Sequence, residues 1–348
     1  MGKQATIKDV AALAGVSVAT ASRVLADSGY PVRPQLGQRV RDAAEKLEYT
    51  PNPMAQGLRR NNCKDLALIV PNLSNPFYLQ ALLGVSEALG DYQMIFCNTG
   101  HDPAKEKQYL EQLYKRQVKG VILSSVAEDA SEMVNKYIQK GMRFVLLDQM
   151  LPDVEIPGIH YDPQAGARMA MEHLISQGHK KIALATTPLV RYTRTEIFKG
   201  YSDSLAQAGI TPDDALVYEC AISKAGRGSD YELGIGRQIA EDFMKDDCPA
   251  SAILCVNDMV AIGLIQALVQ RGIRVPEDVS VIGFDNIPIA GAYLPALTTV
   301  HFPAQEMGRL AARMLLDAME SEKEQTALTM SLAPQLMIRD SVAPLHKK

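Results

Sequence analysis

Hydrophobic positions recur with a helical period over the first fifty residues, and after them the pattern changes to short apolar runs between amphipathic segments. The helical period predicts three short helices at about 7–14, 18–25 and 34–47. The later apolar runs, such as DLALIV (65–70) and GVILSS (120–125), are nearly continuous, which is typical of parallel strands covered by helices on both faces. The pattern therefore predicts an all-α head followed by an α/β core.

The strand–helix alternation runs through the core twice and restarts after IHYDP (159–163). Two successive arrays of about 100 residues predict two doubly wound parallel-sheet subdomains that face each other across a cleft. We expect one subdomain to comprise about 63–162 plus 291–325, and the other 163–290 plus 326–342. No leucine heptad follows Asp340, which favours a dimer over a tetramer.

The head contains the signals of two helices joined by a tight turn. Thr6 and Asp9 are spaced as a capping box, and Gly15 permits the sharp turn that an alanine would strain. Ser17 is placed to cap the second helix, which leaves four side chains projecting outward. They are Val18, Ala19, Ser22 and Arg23. This arrangement is the helix-turn-helix of DNA-binding proteins, whose second helix enters the major groove.

The stretch TIKDVAALAGVSVATASRVL (6–25) resembles the opening of the lactose repressor/galactose repressor (LacI/GalR) family of bacterial transcription regulators, and the similarity continues along almost the whole chain. The resemblance implies a helix-turn-helix domain at 1–51, a hinge helix and linker at 52–62, and an effector-binding and dimerisation core at 63–348. The core of that family resembles periplasmic sugar-binding proteins. The implied function is a homodimeric repressor of carbohydrate-utilisation genes that is controlled by a sugar or sugar-derivative effector.

The segment YTPNPMAQGLRRNN (49–62) corresponds to the hinge of the family. A helix over 53–58 with Asn52 as its N-cap would be short and polar and would contain Gly57, so its isolated stability should be low. Leu58 matches the family's wedge leucine, which opens a minor-groove step and bends the duplex. Without the resemblance, the same segment would be interpreted as a plain linker.

Base reading is expected from the start of the second helix. Val18 and Ala19 can pack against a thymine methyl, and Arg23 can bind a guanine edge or a phosphate, although a salt bridge to Asp27 is the alternative for Arg23. These residues and the Leu58 wedge predict a double-stranded, pseudo-palindromic operator with a central C·G step. The predicted DNA contacts are Thr6, Ser17, Val18, Ala19, Thr20, Ser22, Arg23, Asn52, Ala55 and Leu58.

Ligands of open α/β sheets bind beyond the carboxyl ends of the strands, where this chain has aromatic, amide and carboxylate side chains. Such groups suit a polyhydroxylated ligand. The predicted effector contacts are Asn75, Phe77, Tyr78, Ser124, Asp148, Arg194, Asn257 and Asp285. Local capping is the alternative for the aspartates and for Asn257, and it is the preferred interpretation of Asp258. The family's usual arginine is replaced by Ile197, so Arg191 and Arg194 are the available substitutes, with Arg194 preferred.

The charge distribution supports a DNA-binding head. The chain has a net charge of −4, yet residues 1–61 carry nine Lys or Arg and five Asp or Glu, so this segment is +4 and the remainder −8. A basic head on an acidic body fits a DNA-reading domain attached to a body with a different role. A global regulator that answers to a phosphorylated partner protein is an alternative within the family.

The sequence lacks the motifs that are typical of other classes of protein. The five cysteines have no CxxC spacing and the six histidines no ligand spacing, and no Walker loop, HExxH or G-x-S-x-G occurs. We therefore expect no metal, no cofactor and no enzymatic activity. No apolar run approaches the roughly 18 residues of a membrane span, and no signal peptide is evident, so the expected location is cytoplasmic, without a membrane partner. A periplasmic binding protein would need a signal peptide and would have no use for residues 1–61.

Overall fold

The computed structural model describes residues 5–25, 32–49, 64–127, 129–151, 153–220, 230–247, 249–321 and 327–345. The chain divides into two compact units between Lys64 and Asp65. The predicted hinge segment, with Asn52, Ala55 and Leu58, lies outside the described residues. The boundaries of the predicted head, hinge and core, at 1–51, 52–62 and 63–348, stay predictions.

The head contains the three helices that the sequence predicts: α1 (Ile7–Ala14), α2 (Val18–Leu25) and α3 (Pro34–Lys46). Small apolar side chains pack between them and form a separate core. They are Val10, Ala11, Ala14, Ala21, Val40, Ala43 and Ala44. Leu13 does not join this core: its side chain is 48% exposed, and Ala11 is buried instead. Small residues let three short helices approach closely.

Both ends of α1 are fixed by side chains. The Asp9 carboxylate accepts hydrogen bonds from Thr6 N at 2.8 Å and Thr6 Oγ1 at 2.6 Å, as the predicted capping box requires. Gly15 ends the helix with a φ of +61°, and Arg39 Nη2 donates to the Ala14 carbonyl at 2.6 Å. A guanidinium at a helix C-terminus interacts favourably with the helix dipole, so α3 stabilises the turn that precedes α2.

The core contains two six-stranded sheets. The first sheet has the strand order β11-β5-β4-β3-β1-β2 and is parallel throughout. Its strands are β1 (Asp65–Val70), β2 (Gln93–Asn98), β3 (Gly120–Leu123), β4 (Arg143–Leu147), β5 (Gly158–Tyr161) and β11 (Thr329–Leu332). The helices between and beside them are α4 (Pro76–Ala88), α5 (Pro103–Lys115), α6 (Ala130–Ile138) and α11 (Ala304–Glu320).

The second sheet has the order β12-β10-β9-β8-β6-β7, and only the edge strand β12 runs antiparallel. Its strands are β6 (Ile182–Thr186), β7 (Val217–Glu219), β8 (Ala252–Cys255), β9 (Ser280–Asp285), β10 (Thr298–His301) and β12 (Gln335–Met337). Its helices are α7 (Pro163–Ser176), α8 (Tyr192–Gln207), α9 (Tyr231–Lys245) and α10 (Asp258–Gln270). Among the described helices, none is long and apolar enough to cross a membrane.

The predicted division of the C-terminal part needs correction. β10 was expected in the first subdomain as part of 291–325, yet it pairs with β9 of the second sheet. β11 was expected in the second subdomain as part of 326–342, yet it pairs with β5 of the first sheet. β10 and β11 have four residues each, and so short a strand carries no pattern that identifies its neighbours. The sequence therefore does not show which sheet each strand joins.

Two helices of the first subdomain touch backbone to backbone. A Cβ at Gly84 of α4 would overlap the Gln305 carbonyl of α11, and a Cβ at Gly308 would overlap the Ala81 carbonyl in return. The contact holds the C-terminal helix against the start of the core, which closes the first subdomain around its sheet.

We predict that Gly84→Ala lowers the free energy of unfolding by about 1–3 kcal/mol, because the added methyl group must push two backbones apart. Chemical denaturation of the full chain measures the change. Ser86→Ala, on the exposed face of the same helix, is the control and should shift stability by less than about 0.5 kcal/mol. Equal stabilities of the two variants would contradict the close packing.

Candidate functional site

Polar side chains from both sheets meet in the core, beyond the carboxyl ends of the strands. The first subdomain contributes Tyr78 of α4, Ser124 after β3 and Asp148 after β4, and all three are buried. The second contributes a further set, four residues near the starts of its helices and Asp285 at the end of β9. These residues are Arg191, Arg194, Glu232, Asn257 and Asp285.

The contacts on the side of the first sheet form a short chain. The Tyr78 hydroxyl donates to Asp148 Oδ2 at 3.1 Å, and Ser124 Oγ donates to the Tyr78 hydroxyl at 3.4 Å. The second carboxylate oxygen of Asp148, Oδ1, is inaccessible and accepts no hydrogen bond from the described residues. Asp148 has a φ of +64°, a left-handed conformation that aspartate tolerates better than most residues.

Glu232 of α9 joins the two subdomains. Its Oε1 accepts from Asn257 Nδ2 at 2.7 Å and from Asn75 Nδ2 at 3.2 Å, so one carboxylate oxygen holds a side chain from each sheet. Its Oε2 is buried and has no partner among the described residues.

Both asparagines also cap helices. Asn75 Oδ1 accepts from Phe77 N at 2.9 Å at the start of α4, and Asn257 Oδ1 accepts from Val260 N at 2.8 Å at the start of α10. Each amide therefore uses its oxygen locally and directs its NH2 group into the site.

Two arginines come from the beginning of α8. Arg194, the predicted contact, donates from Nε to Thr187 Oγ1 at 3.2 Å and from Nη1 to the Val256 carbonyl at 3.4 Å. Arg191 lies one turn earlier, and its Nε and Nη2 are buried without a partner in the described part of the chain. The guanidinium with donors to spare is therefore that of Arg191.

Burial dominates the electrostatics of the site. It raises the pKa of Asp148 and of Glu232, and the nearby Arg191 and Arg194 oppose the rise in both cases. The pKa of Asp285 is raised well above its ordinary value, first by burial and then by Asp258 and Asp148. A hydrogen-bond donor that reaches a carboxyl group buried in this way stabilises its charged form.

Aromatic rings line the same region. Phe77 is buried in the core, where its ring meets those of Tyr78 and Tyr161 edge to face at centroid distances of 5.2 and 6.2 Å. The His101 ring lies 4.7 Å from that of Tyr231. Burial, with help from the two arginines, lowers the pKa of His101 to about 3, so this imidazole is neutral at pH 7.

The structure adds residues that strand-end reasoning missed. Glu232 lies within a helix, so no strand-end signal marks it. His101 follows the end of β2 closely and could have been found, but the histidines were considered only as metal ligands, for which they lack the spacing. The expected capping role of Asp258 is wrong because Asn257 caps the helix. Asp258 instead accepts from Thr299 Oγ1 at 2.5 Å and from Ile287 N at 2.9 Å.

The second helix of the head presents the predicted DNA-facing side. Ser17, Val18, Ala19 and Arg23 are exposed, as is Thr6, while Thr20 and Ser22 are half-buried. Ser17 Oγ accepts from Thr20 N at 3.1 Å and lies 2.9 Å from Thr20 Oγ1, which confirms its capping position. Asp27, the alternative partner of Arg23, lies outside the described residues. The described part of the chain holds no cluster of side chains suited to a metal ion.

Comparison with known proteins gives matches to both parts of the chain. Residues 6–52 match the family described as bacterial regulatory proteins, lacI family, and residues 171–342 match a periplasmic binding protein-like domain. The HTH-type transcriptional repressor PurR of Photobacterium profundum is 31% identical over 98% of this chain and 100% of its own length.

Solved structures agree with the fold. A complex of the transcriptional regulator CelR with cellobiose has a TM-score of 0.71 at 28% identity and covers 97% of this chain and 99% of its own. A LacI family transcriptional regulator from Enterococcus faecium with bound ribose has a TM-score of 0.69 at 29% identity, over 81% of this chain and 100% of its own. The chain therefore belongs to the LacI family of bacterial DNA-binding regulators, which are transcriptional regulators and not enzymes.

Proposed function

We propose that this protein is a homodimeric repressor of carbohydrate-utilisation genes, and that a sugar or sugar derivative in the cleft controls its affinity for the operator. The observation that carries the proposal is a set of buried polar atoms at the meeting point of the two sheets that have no partner among the described residues: Asp148 Oδ1, Glu232 Oε2, His101 Nε2 and two nitrogens of Arg191. Buried polar groups are nearly always hydrogen-bonded in proteins, so this set indicates a polar ligand.

A carbohydrate supplies what these atoms lack. Its hydroxyl groups both donate and accept, so they can serve carboxylates and a guanidinium in one ligand. The neighbouring aromatic rings can contact the apolar face of a sugar ring. Two similar regulators, CelR in complex with cellobiose and the Enterococcus faecium regulator with bound ribose, bind carbohydrates.

The contact through Glu232 suggests how a ligand would act. Asn75 and Asn257 belong to different subdomains and share one carboxylate oxygen. A ligand that hydrogen-bonds to Glu232 would favour one relative arrangement of the subdomains, and DNA binding would favour one as well. Ligand and operator would then change each other's affinity by the same factor.

On the DNA side, we propose that Val18 and Ala19 pack against thymine methyl groups and that Arg23 binds a guanine or a phosphate. Thr6, Ser17, Thr20 and Ser22 would contact phosphates, and the hinge residues would open the central step. Two copies related by two-fold symmetry require a pseudo-palindromic operator.

We predict that selection from random DNA returns a pseudo-palindromic site. Arg23→Ala should weaken binding to that site by about 1–3 kcal/mol and relax the preference at one position in each half, because a bidentate base contact is lost. The change is measured by titrating labelled DNA at fixed salt. Arg271→Ala, an exposed arginine of the core, should bind as the unmodified protein does. Direct repeats, or no symmetric site, would contradict the proposal.

We predict that Asp148→Asn weakens carbohydrate binding about 10- to 100-fold, because the amide replaces one acceptor oxygen by an NH2 group that cannot accept a hydrogen bond from a ligand hydroxyl. A thermal-shift screen of sugars and sugar acids identifies a ligand first, since a ligand at 100 times its Kd stabilises by about 2.7 kcal/mol. Asp317→Asn, exposed on α11, is the matched control. Undiminished binding by Asp148→Asn would place the ligand elsewhere.

A further inference from the structure

The unpartnered atoms of Arg191 lie on one edge of its guanidinium. Nε and Nη2 point their N–H groups in the same direction, side by side, and both atoms are buried. Two parallel N–H donors at this spacing match the two oxygens of a carboxylate, which they bind in a bidentate manner. A single hydroxyl oxygen can satisfy only one of the two donors well.

No carboxylate of the described residues occupies this edge. Asp148 influences Arg191 electrostatically, but the described chain has no ion pair between them within 4.0 Å. Arg194 differs because its Nε already donates to Thr187. The second arginine is therefore held by the protein, while the first keeps a pair of donors for a ligand.

Two other unpartnered atoms of the site need hydrogen-bond donors instead. Asp148 Oδ1 and Glu232 Oε2 are carboxylate oxygens of side chains that are 5% and 6% exposed, and both need donors. Hydroxyl groups supply donors, whereas a second carboxylate there would be repelled. The ligand thus needs one planar anionic end and at least two hydroxyl groups elsewhere.

We propose that the effector is a sugar acid, an aldonic or uronic acid whose carboxylate binds the Nε–Nη2 edge of Arg191 and whose hydroxyls donate to Asp148 and Glu232. This inference rests on the proposed function and names the ligand class of the same site. A sugar phosphate shares the anionic chemistry but is less suited. The phosphate dianion has three oxygens, whereas the Nε–Nη2 edge of Arg191 pairs with two. Its greater charge would also lie near the carboxyl groups of Asp148, Glu232 and Asp285.

Charge in the cleft is compatible with an anion. Arg191 is cationic, and burial raises the pKa of Asp148, Glu232 and Asp285, which lowers the negative charge that an anionic ligand would meet. His101, which faces the arginines, is neutral and adds no charge.

The test is isothermal titration of the full-length protein with matched pairs. D-gluconate and D-glucuronate are compared with D-glucose, and D-galacturonate with D-galactose; glucose 6-phosphate and hypoxanthine complete the panel. We expect at least one acid to bind about 100-fold more tightly than its neutral counterpart, because the neutral sugar leaves the buried guanidinium edge poorly paired. Arg191→Gln should reduce the ratio of acid to neutral affinity to below about tenfold.

Arg191→Lys keeps the charge without the fork and should give an intermediate ratio. Lys199→Gln, an exposed cation on the same helix, should keep the full ratio. The thermal transition of Arg191→Gln shows whether this variant folds. If it does not fold, the affinities of the unmodified protein for acids and neutral sugars still test the proposal.

Each contrary result has a distinct meaning. A neutral sugar that binds more tightly than its acid would overturn this inference and leave the proposed function standing. Glucose 6-phosphate binding more tightly than every acid would overturn the carboxylate assignment. Hypoxanthine as the sole ligand would overturn both the inference and the proposed carbohydrate effector. An unchanged ratio in a folded Arg191→Gln variant would remove Arg191 from the recognition of the anion.

Discussion

The Glu232 carboxylate is the constraint on which the cleft depends. It is buried, has no ion-pair partner within 4.0 Å in the described part of the chain, and is held by amides from two different subdomains. Burying a carboxylate without full hydrogen bonding is costly. Its position thus ties three features together: the asparagines that start α4 and α10, the unpartnered oxygen, and the two nearby arginines that oppose the rise in its pKa. The fold brings these groups to one place by directing the carboxyl ends of both sheets toward the cleft.

Asn75 and Asn257 use the oxygen and the nitrogen of their side-chain amides for different contacts. Each residue can therefore cap a helix and also bind Glu232 in the site. Capping and ligand contact look like alternatives when only the sequence is known. Asn75 and Asn257 do the first with Oδ1 and reach Glu232 with Nδ2. Since the cap fixes the orientation of the amide, its Nδ2 donor is aimed at Glu232, and the carboxylate is held in place before the ligand that we propose binds.

Much of the fold could be predicted because the responsible signals are local. The capping box at Thr6 and Asp9, the glycine after α1 and the continuous apolar strands each act over a few residues. The boundaries of α1 match their prediction for that reason. The placement of β10 and β11 could not be predicted because the pairing of such short strands depends on strands that are distant in the sequence. Strand-end reasoning found Tyr78, Ser124 and Asp148 together, but it could not find Glu232, which reaches the site from within a helix. Arg194 was preferred to Arg191 because the sequence does not show which guanidinium already donates hydrogen bonds to the protein.

Control of DNA binding by a ligand requires coupling between the cleft and the operator site. The direct measurement is a thermodynamic cycle: the operator Kd with and without saturating amounts of the tightest-binding carbohydrate, and the Kd of that carbohydrate with and without saturating operator. We predict that the two ratios are equal and that each differs from one by about 5- to 150-fold, in either direction. Ratios of one in both arms, with the carbohydrate bound in each case, would show that the cleft does not control DNA binding and would contradict the account.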